Sequence, residues 1–259
     1  MLFLLSPAKS LDYDTPTPPE LVGALTRPQF LDDTSALIDV LRGKSVAEVQ
    51  ALMDLSEPLA RLNVDRYAAW RPRFTDRNSK PALLAFDGDV YDGLDATTLS
   101  ADDIAWAQQH LRMLSGLYGM LRPLDRMQPY RLEMGTRLQT QAGASLYDWW
   151  GDRLALHLNR LASAEKVPVI VNLASQEYFR AVDRKVLKPR VIDCQFEDWK
   201  NGGYKIISFF AKRARGLMAR YCVQHRLETP EGLKGFDLDG YRLAPEASSA
   251  DRLVFRRKP

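Results

Sequence analysis

Three short runs of this chain are apolar at nearly every position, and they restrict its fold more than any other feature. Met1-Leu2-Phe3-Leu4-Leu5 opens the sequence, residues 82–86 read ALLAF, and Val167 to Leu173 reads VPVIVNL. A strand with one wet face alternates polar and apolar residues, so runs without alternation predict strands covered on both sides. The cover has to come from amphipathic helices, and the sequence supplies them. Thr34 to Leu41 has a short helical pattern, and Ser45-Val46-Ala47-Glu48 is a capping box with Val46, Val49 and Met53 behind it. Leu52 to Trp70 reads as helical with an interruption near Pro58, and Ser100-Ala101-Asp102-Asp103 caps a helix whose stripe is Ile104, Ala107, Leu111 and Leu114. Leu146 to Leu161 and residues 211–227 are further helices. Strands are predicted at 190–196 and 204–210 about an Asn201-Gly202-Gly203 hairpin turn, and at Leu253 to Phe255 after a turn at Asp239-Gly240. The irregular alternation predicts one mixed α/β (α+β) domain over residues 1–259, with a mixed sheet flanked by helices and without doubly wound order.

Composition adds limits more than identity. With 46% hydrophobic and 27% charged residues in 259, the chain is ordinary globular material, long enough for a substantial core. A formal net charge of +3 is too small to imply a nucleic-acid partner unless the cations cluster. Cys194 and Cys222 are the only cysteines, which is no disulfide framework; two packed thiols or a single bridge remain open. The apolar start lacks a basic leader and is broken by Pro7, and no apolar run approaches the ~20 residues of a membrane span. A soluble, cytoplasmic protein without a membrane partner is expected.

The cations do cluster. Between Asp198 and Glu228 no acidic residue occurs, yet Lys200, Lys205, Lys212, Arg213, Arg215, Arg220 and Arg226 all do. On a helix with Lys212 at zero, Arg213 falls near ~100°, Arg215 near ~300°, Arg220 near ~80° and Arg226 near ~320°. Ala214, Leu217, Met218, Tyr221 and Cys222 occupy the arc between ~140° and ~280°, leaving one face apolar and the other basic. Gly216 lies inside the basic arc, where a missing side chain would admit a backbone or a phosphate. Solvated faces usually mix signs, so a one-sign face asks for an anionic neighbour. A protein carboxylate, a small anionic ligand and a nucleic-acid backbone all meet that need.

A second basic segment, residues 112–137, carries Arg112, Arg122, Arg126, Arg131 and Arg137 against Asp125 and Glu133. Its centre, Leu114-Ser115-Gly116-Leu117-Tyr118-Gly119-Met120, follows a helix and is similar to a helix-hairpin-helix element spanning about 102–127. Such a hairpin aims backbone N–H groups at a DNA phosphate. The usual hairpin has its glycines two apart, whereas Gly116 and Gly119 are three apart, and a plain helix break fits the same residues.

Polar groups gather after the strands. Ser6-Pro7-Ala8-Lys9 follows the first, Asp87-Gly88-Asp89 the second, and Asn172 to Tyr178 the third. Lys9 is either a surface lysine, a phosphate contact or, if burial lowers its pKa, a nucleophile. Asp87 and Asp89 are either turn formers or a base or metal site, and Ser175 is equally a helix N-cap. His110, His157 and His225 are far apart, so no metal site is expected; without a Walker A loop, a GxGxxG or a GxSxG elbow, no cofactor is expected either.

These blocks together resemble the peroxide-stress YaaA family. The resemblance is carried by residues 6–13 (SPAKSLDY), 86–91 (FDGDVY), 111–138, 172–179 and 205–218 (KIISFFAKRARGLM), and runs from Met1 to about Phe255. It implies a bacterial peroxide-stress protein that limits free iron and oxidative damage to DNA and protein. It also implies a single-domain α/β fold with a basic cleft, a helix-hairpin-helix element and double-stranded DNA as partner. On that resemblance Ser115, Gly116, Tyr118, Gly119 and Arg122 would form the hairpin, with Lys9, Lys212, Arg213 and Arg215 as cleft cations and Gly216 beside them. Contacts of this type read charge and shape, so weak sequence preference is expected. The alternative is an enzyme acting on a nucleotide, nucleobase or damaged DNA, with Lys9 as nucleophile or proton-transfer group and Asp87, Ser175 and Glu177 around it. That alternative requires Ser6, Lys9, Asp87, Ser175 and Glu177 to meet in one pocket.

Overall fold

The computed structural model describes residues 1–258. Its centre is a sheet built from β1 (Leu2–Leu5), β2 (Leu111–Ser115), β3 (Gly119–Leu121), β4 (Val169–Leu173), β5 (Arg190–Lys200), β6 (Gly203–Lys205), β7 (Arg242–Leu243) and β8 (Arg252–Arg257). The order across the sheet is β7-β8-β5-β4-β1-β2-β3, with β6 paired to β5. The inner pairs β8/β5, β5/β4, β4/β1 and β1/β2 are parallel, and the hairpin pairs β2/β3, β5/β6 and β7/β8 are antiparallel. Every residue of β1 and β2 is buried. Both faces at the centre of the sheet are therefore covered, as the unbroken apolar runs require.

Helices supply that cover. They include α1 (Leu31–Arg42), α2 (Val46–Met53), α3 (Glu57–Ala69), α4 (Asp89–Leu94), α5 (Ala101–His110), α6 (Arg153–Ala164) and α7 (Ser208–Gln224). Ser45/Glu48 and Ser100/Asp103 form the capping boxes that start α2 and α5. Pro58 sits in the first turn of α3, where a missing N–H costs nothing, so it marks a helix start between α2 and α3. One continuous apolar core joins the sheet to the helices, giving a single mixed α/β domain.

Several sequence expectations need correction. Residues 82–85 form a short helix, and only Phe86–Asp87 pair, against Ser10–Leu11, so ALLAF is not a strand of the sheet. The α5 stripe ends at His110, and Leu111 and Leu114 belong to β2. Gly151, at φ +47°, separates residues 146–150 from α6. The hairpin at Asn201-Gly202 is present, with φ of +54° and +83°, but its second strand stops at Lys205 and α7 begins at Ser208. Cys194 and Cys222 are both buried and free.

The helix-hairpin-helix reading also gives way. Residues 111–121 are a β-hairpin, with Ser115 paired to Gly119, and Gly116 to Tyr118 form its turn. Ser115 and Tyr118 are fully buried: the Ser115 hydroxyl bonds to Tyr130 at 2.5 Å, and Trp70 Nε1 donates to the Tyr118 hydroxyl at 3.1 Å. A Cβ at Gly116 would lie 2.2 Å from the Leu132 carbonyl oxygen, and Gly119 packs under Trp150. These glycines are small because protein packs against them, so they have no open backbone to offer a phosphate.

Candidate functional site

The chain passes from β1 to β2 on one side of the sheet and later returns to lay β4 on the other side of β1. Connections leaving β1 and β4 therefore diverge, which opens a crevice beyond their carboxyl ends, the usual ligand position in parallel α/β sheets. Ser6 follows β1 and Ser175 follows β4. The Ser175 backbone N–H donates to the Ser6 hydroxyl at 2.8 Å, and the two hydroxyls lie 3.3 Å apart. The Tyr91 hydroxyl donates to the Ser6 carbonyl at 3.0 Å, fixing the turn from α4.

A cleft of about 770 Å³ opens at this point. Its wall includes Ser6 to Ser10, Asp87 to Val90, Glu133, Ser175 to Tyr178, Ile206, Ser208, Ala211, Lys212 and Arg215. Lys9, Asp87, Ser175 and Glu177, separated by up to 168 positions in sequence, thus share one concavity with Ser6. Their engagements differ. Lys9 pairs with Glu133 at 2.8 Å, Glu177 accepts the Gly135 N–H at 3.0 Å, and Ser175 caps residues 176–179. Lys9 and Arg131 hold the Glu133 carboxyl below its usual range against the opposing effect of burial.

Glycines set the position of the acidic wall. Gly88, at φ +146° and ψ −178°, turns the chain from the Phe86–Asp87 ladder into α4, a conformation open essentially to glycine alone. Gly93 and Gly216 then let α4 and α7 cross almost backbone to backbone. A Cβ on Gly93 would lie 2.2 Å from the Arg213 carbonyl oxygen, and one on Gly216 1.8 Å from that of Val90. Gly216 therefore admits a backbone, as its place in the arc suggested, but it is the protein's own and not a phosphate. This crossing brings Asp89 within 3.9 Å of the Lys212 ammonium.

The basic helix divides into two groups. Arg220 donates to the carbonyls of Leu94 and Asp95 at 3.0 and 2.8 Å and so caps α4. Arg226 lies beyond α7, at φ +50°, and pairs with Asp103 at 2.7 Å. Both are occupied by protein partners. Lys212, Arg213 and Arg215 are the remainder. Arg213 is exposed and makes no ion pair among the described residues. Arg215 is mostly enclosed, its Nε buried without a hydrogen-bond partner, and desolvation lowers its pKa. Phe209 precedes Lys212 and Arg213 by three and four residues, so the ring and both cations share a helical face; the ring is 57% exposed. Ile206, 52% exposed, adjoins it on the cleft wall.

The second basic segment is spent inside the protein except for Arg137, which is exposed and makes no ion pair among the described residues. Arg112 is 4% exposed and donates to the carbonyls of Gln108, Gln109 and Leu111, closing the end of α5. Arg122 pairs with the fully buried Asp125 at 2.9 Å, Arg126 with Asp76 at 2.6 Å and Arg131 with Glu133 at 2.9 Å. Arg122 lies away from the cleft that holds Lys9 and Arg215. Glu133 and Tyr178 carried no separate signal in the sequence as cleft residues, nor did Gly93 as a packing residue; their roles depend on the crossing of distant segments. Among the described residues no group of three or more His, Cys, Asp or Glu is placed to share a metal ion, and no helix is long and apolar enough to cross a membrane.

Comparison with known proteins places the chain in a family. The family described as peroxide stress protein YaaA matches residues 1–247. A UPF0246 protein of Paracidovorax citrulli is 65% identical over 258 residues, covering 100% of this chain and 99% of the relative. A UPF0246 protein of Bordetella pertussis is 60% identical over the same shares of both chains. With residues 1–247 matched by the family and relatives more than half identical over the full length, the chain belongs to the YaaA family of peroxide stress proteins.

Proposed function

We propose that this peroxide stress protein binds double-stranded DNA along the lip of the cleft and, in that position, limits iron-dependent oxidative damage. The observation that carries the reading is the exposed face of α7, where Phe209, Lys212 and Arg213 lie together beside the cleft with Arg213 unpaired among the described residues. Cations on such a face neutralise phosphates and release counterions, and an exposed ring one turn away packs on a sugar or base. Contacts to phosphate carry no sequence information, so sequence preference is weak. Fluorescence anisotropy of the protein with a short duplex over a salt series tests the reading. Saturable binding whose affinity falls linearly on log–log axes is expected, and absence of binding at low salt would sink it.

A second reading is favoured by a separate observation: Ser6, Lys9, Asp87, Ser175 and Glu177 line one cleft at the switch point. An enzyme acting on a nucleotide, a nucleobase or damaged DNA would use such a site. Lys9 is engaged by the Glu133 carboxylate at 2.8 Å, which suits a charge stabiliser better than a nucleophile. Asp87, exposed to the cleft, is then the group able to accept a proton. Incubation with oxidised duplex and free nucleotides, followed by chromatography, is expected to give a product that is lost in Asp87→Asn; no product from either substrate would count against the enzyme.

A further inference from the structure

We infer that the cleft holds a nucleoside monophosphate unit, with its phosphate on Arg215 and Lys212 and its sugar or base donors on the Asp87 and Asp89 carboxylates. This names a ligand class for the second reading and rests on it.

Arg215 carries the argument. A guanidinium partly withdrawn from water, with a buried N–H left unpaired, is costly unless an anion or hydrogen-bond acceptor faces it. Arg215 has neither: its Nε is buried without a partner, and it makes no ion pair among the described residues. Beside it lies the Cys194 thiol, which burial keeps protonated and therefore unable to serve as the counter-ion. The side chain instead forms part of the cleft wall next to Lys212, one turn earlier on α7. Two cations one helical turn apart on the wall of a concave site, one of them a rigid fork of donors, match a phosphate.

The acidic residues of the same cleft have different chemistry. Asp87 and Asp89 present carboxylates that accept from hydroxyl and amino groups, and their spacing about Gly88 follows from the α4 turn. Lys212 is 3.9 Å from Asp89, a loose pair that leaves room for the ammonium to turn toward a phosphate. Pro7 and the half-exposed Ile206 add apolar lining on which a flat base can rest. The volume of about 770 Å³ falls in the range of sites that enclose a small organic ligand. A bare anion would use only the two cations, and a neutral nucleoside only the two carboxylates.

The same unit has two sources: a free nucleotide, or a residue everted from a DNA strand held on the α7 lip. Calorimetric titration of the full chain with a nucleoside monophosphate, the matching nucleoside and inorganic phosphate tests the inference. The monophosphate is expected to bind at least ~10-fold tighter than either fragment, and Arg215→Met to lose at least ~10-fold of that affinity, the cost of one charge-assisted contact. Removing a half-buried, unpaired charge should leave the thermal midpoint of Arg215→Met at or above that of the wild type. Should that variant fail to fold, Arg215→Lys, which keeps the charge without the fork, is expected to weaken monophosphate binding and spare nucleoside binding. Equal binding of nucleoside and monophosphate, or full affinity in whichever Arg215 variant folds, overturns the inference. In a competition arm, displacement of duplex by the monophosphate assigns the site to an everted residue, and its absence assigns it to a free nucleotide; the inference stands in both. DNA binding without monophosphate binding refutes the inference and leaves the DNA reading intact. Monophosphate binding without DNA binding does the reverse.

Discussion

The two basic segments look alike in sequence and behave differently in the fold. Residues 112–137 and α7 each carry a run of cations with few acids nearby. In the first, Arg112, Arg122, Arg126 and Arg131 all bind helix carbonyls or carboxylates of the protein. In the second, Arg220 is used in the same way, while Lys212 and Arg215 line the cleft and Arg213 is exposed. Local charge density therefore measures demand for anions without saying whether the protein already meets it. The difference lies in partners supplied by distant segments: Asp76 reaches Arg126 across 50 positions of chain, whereas no carboxylate among the described residues pairs with Arg213.

Substitutions that hit each region separately sharpen the contrast. The largest effect is expected from Gly216→Ala, because a methyl 1.8 Å from the Val90 carbonyl oxygen forces α4 and α7 apart. A loss of ~3 kcal/mol or more in urea denaturation is expected, and a wild-type midpoint would refute the tight crossing. Arg112→Ala comes next. It strips three carbonyls of their donor at a buried helix end, for a loss of about 2–3 kcal/mol, yet DNA affinity of the folded fraction should not change. Impaired DNA binding at unchanged stability would show that the first segment is not purely internal.

His157 separates the interior from the lip by pH. Burial lowers its pKa from 6.5 to about 4, so the unfolded chain binds a proton over that interval and the folded one does not. Stability is then lost as pH falls from about 6.5 towards 4, by no more than ~2 kcal/mol after allowing for solvent screening. Denaturation curves at neutral and mildly acid pH should converge for wild type and His157→Gln in their acid dependence only if this group is not responsible. The smallest stability effect belongs to Arg213→Ala, within ~0.5 kcal/mol, although it should reduce the salt slope of DNA binding by ~1.

Local patterning made much of the scaffold legible. The apolar runs at Leu2–Leu5 and Val169–Leu173 had to be buried strands, and Ser45 and Ser100 marked helix starts by the geometry of their caps. The glycine-rich stretch at 116–119 misled for a physical reason: glycine allows close approach, but the approaching group is Leu132 or Trp150, contributed by chain far enough away to leave no local sign. ALLAF shows the same limit, since an apolar run of that length fits a buried helical turn as well as a strand. For the cleft, Lys9, Asp87, Ser175 and Glu177 were recognisable as polar groups after strands, and their gathering depended on strand order, which the sequence does not state.

The most direct test of the account compares the salt dependence of duplex binding in two double variants. Lys212→Ala/Arg213→Ala removes the exposed cations of α7, and Arg122→Ala/Arg126→Ala removes two that are paired internally. The account predicts that the first pair lowers the log–log salt slope by ~2 with little change in stability, while the second destabilises the protein and leaves the slope of the folded fraction unaltered. A slope lost only in the Arg122/Arg126 pair would contradict it and return the DNA interface to the 112–137 segment.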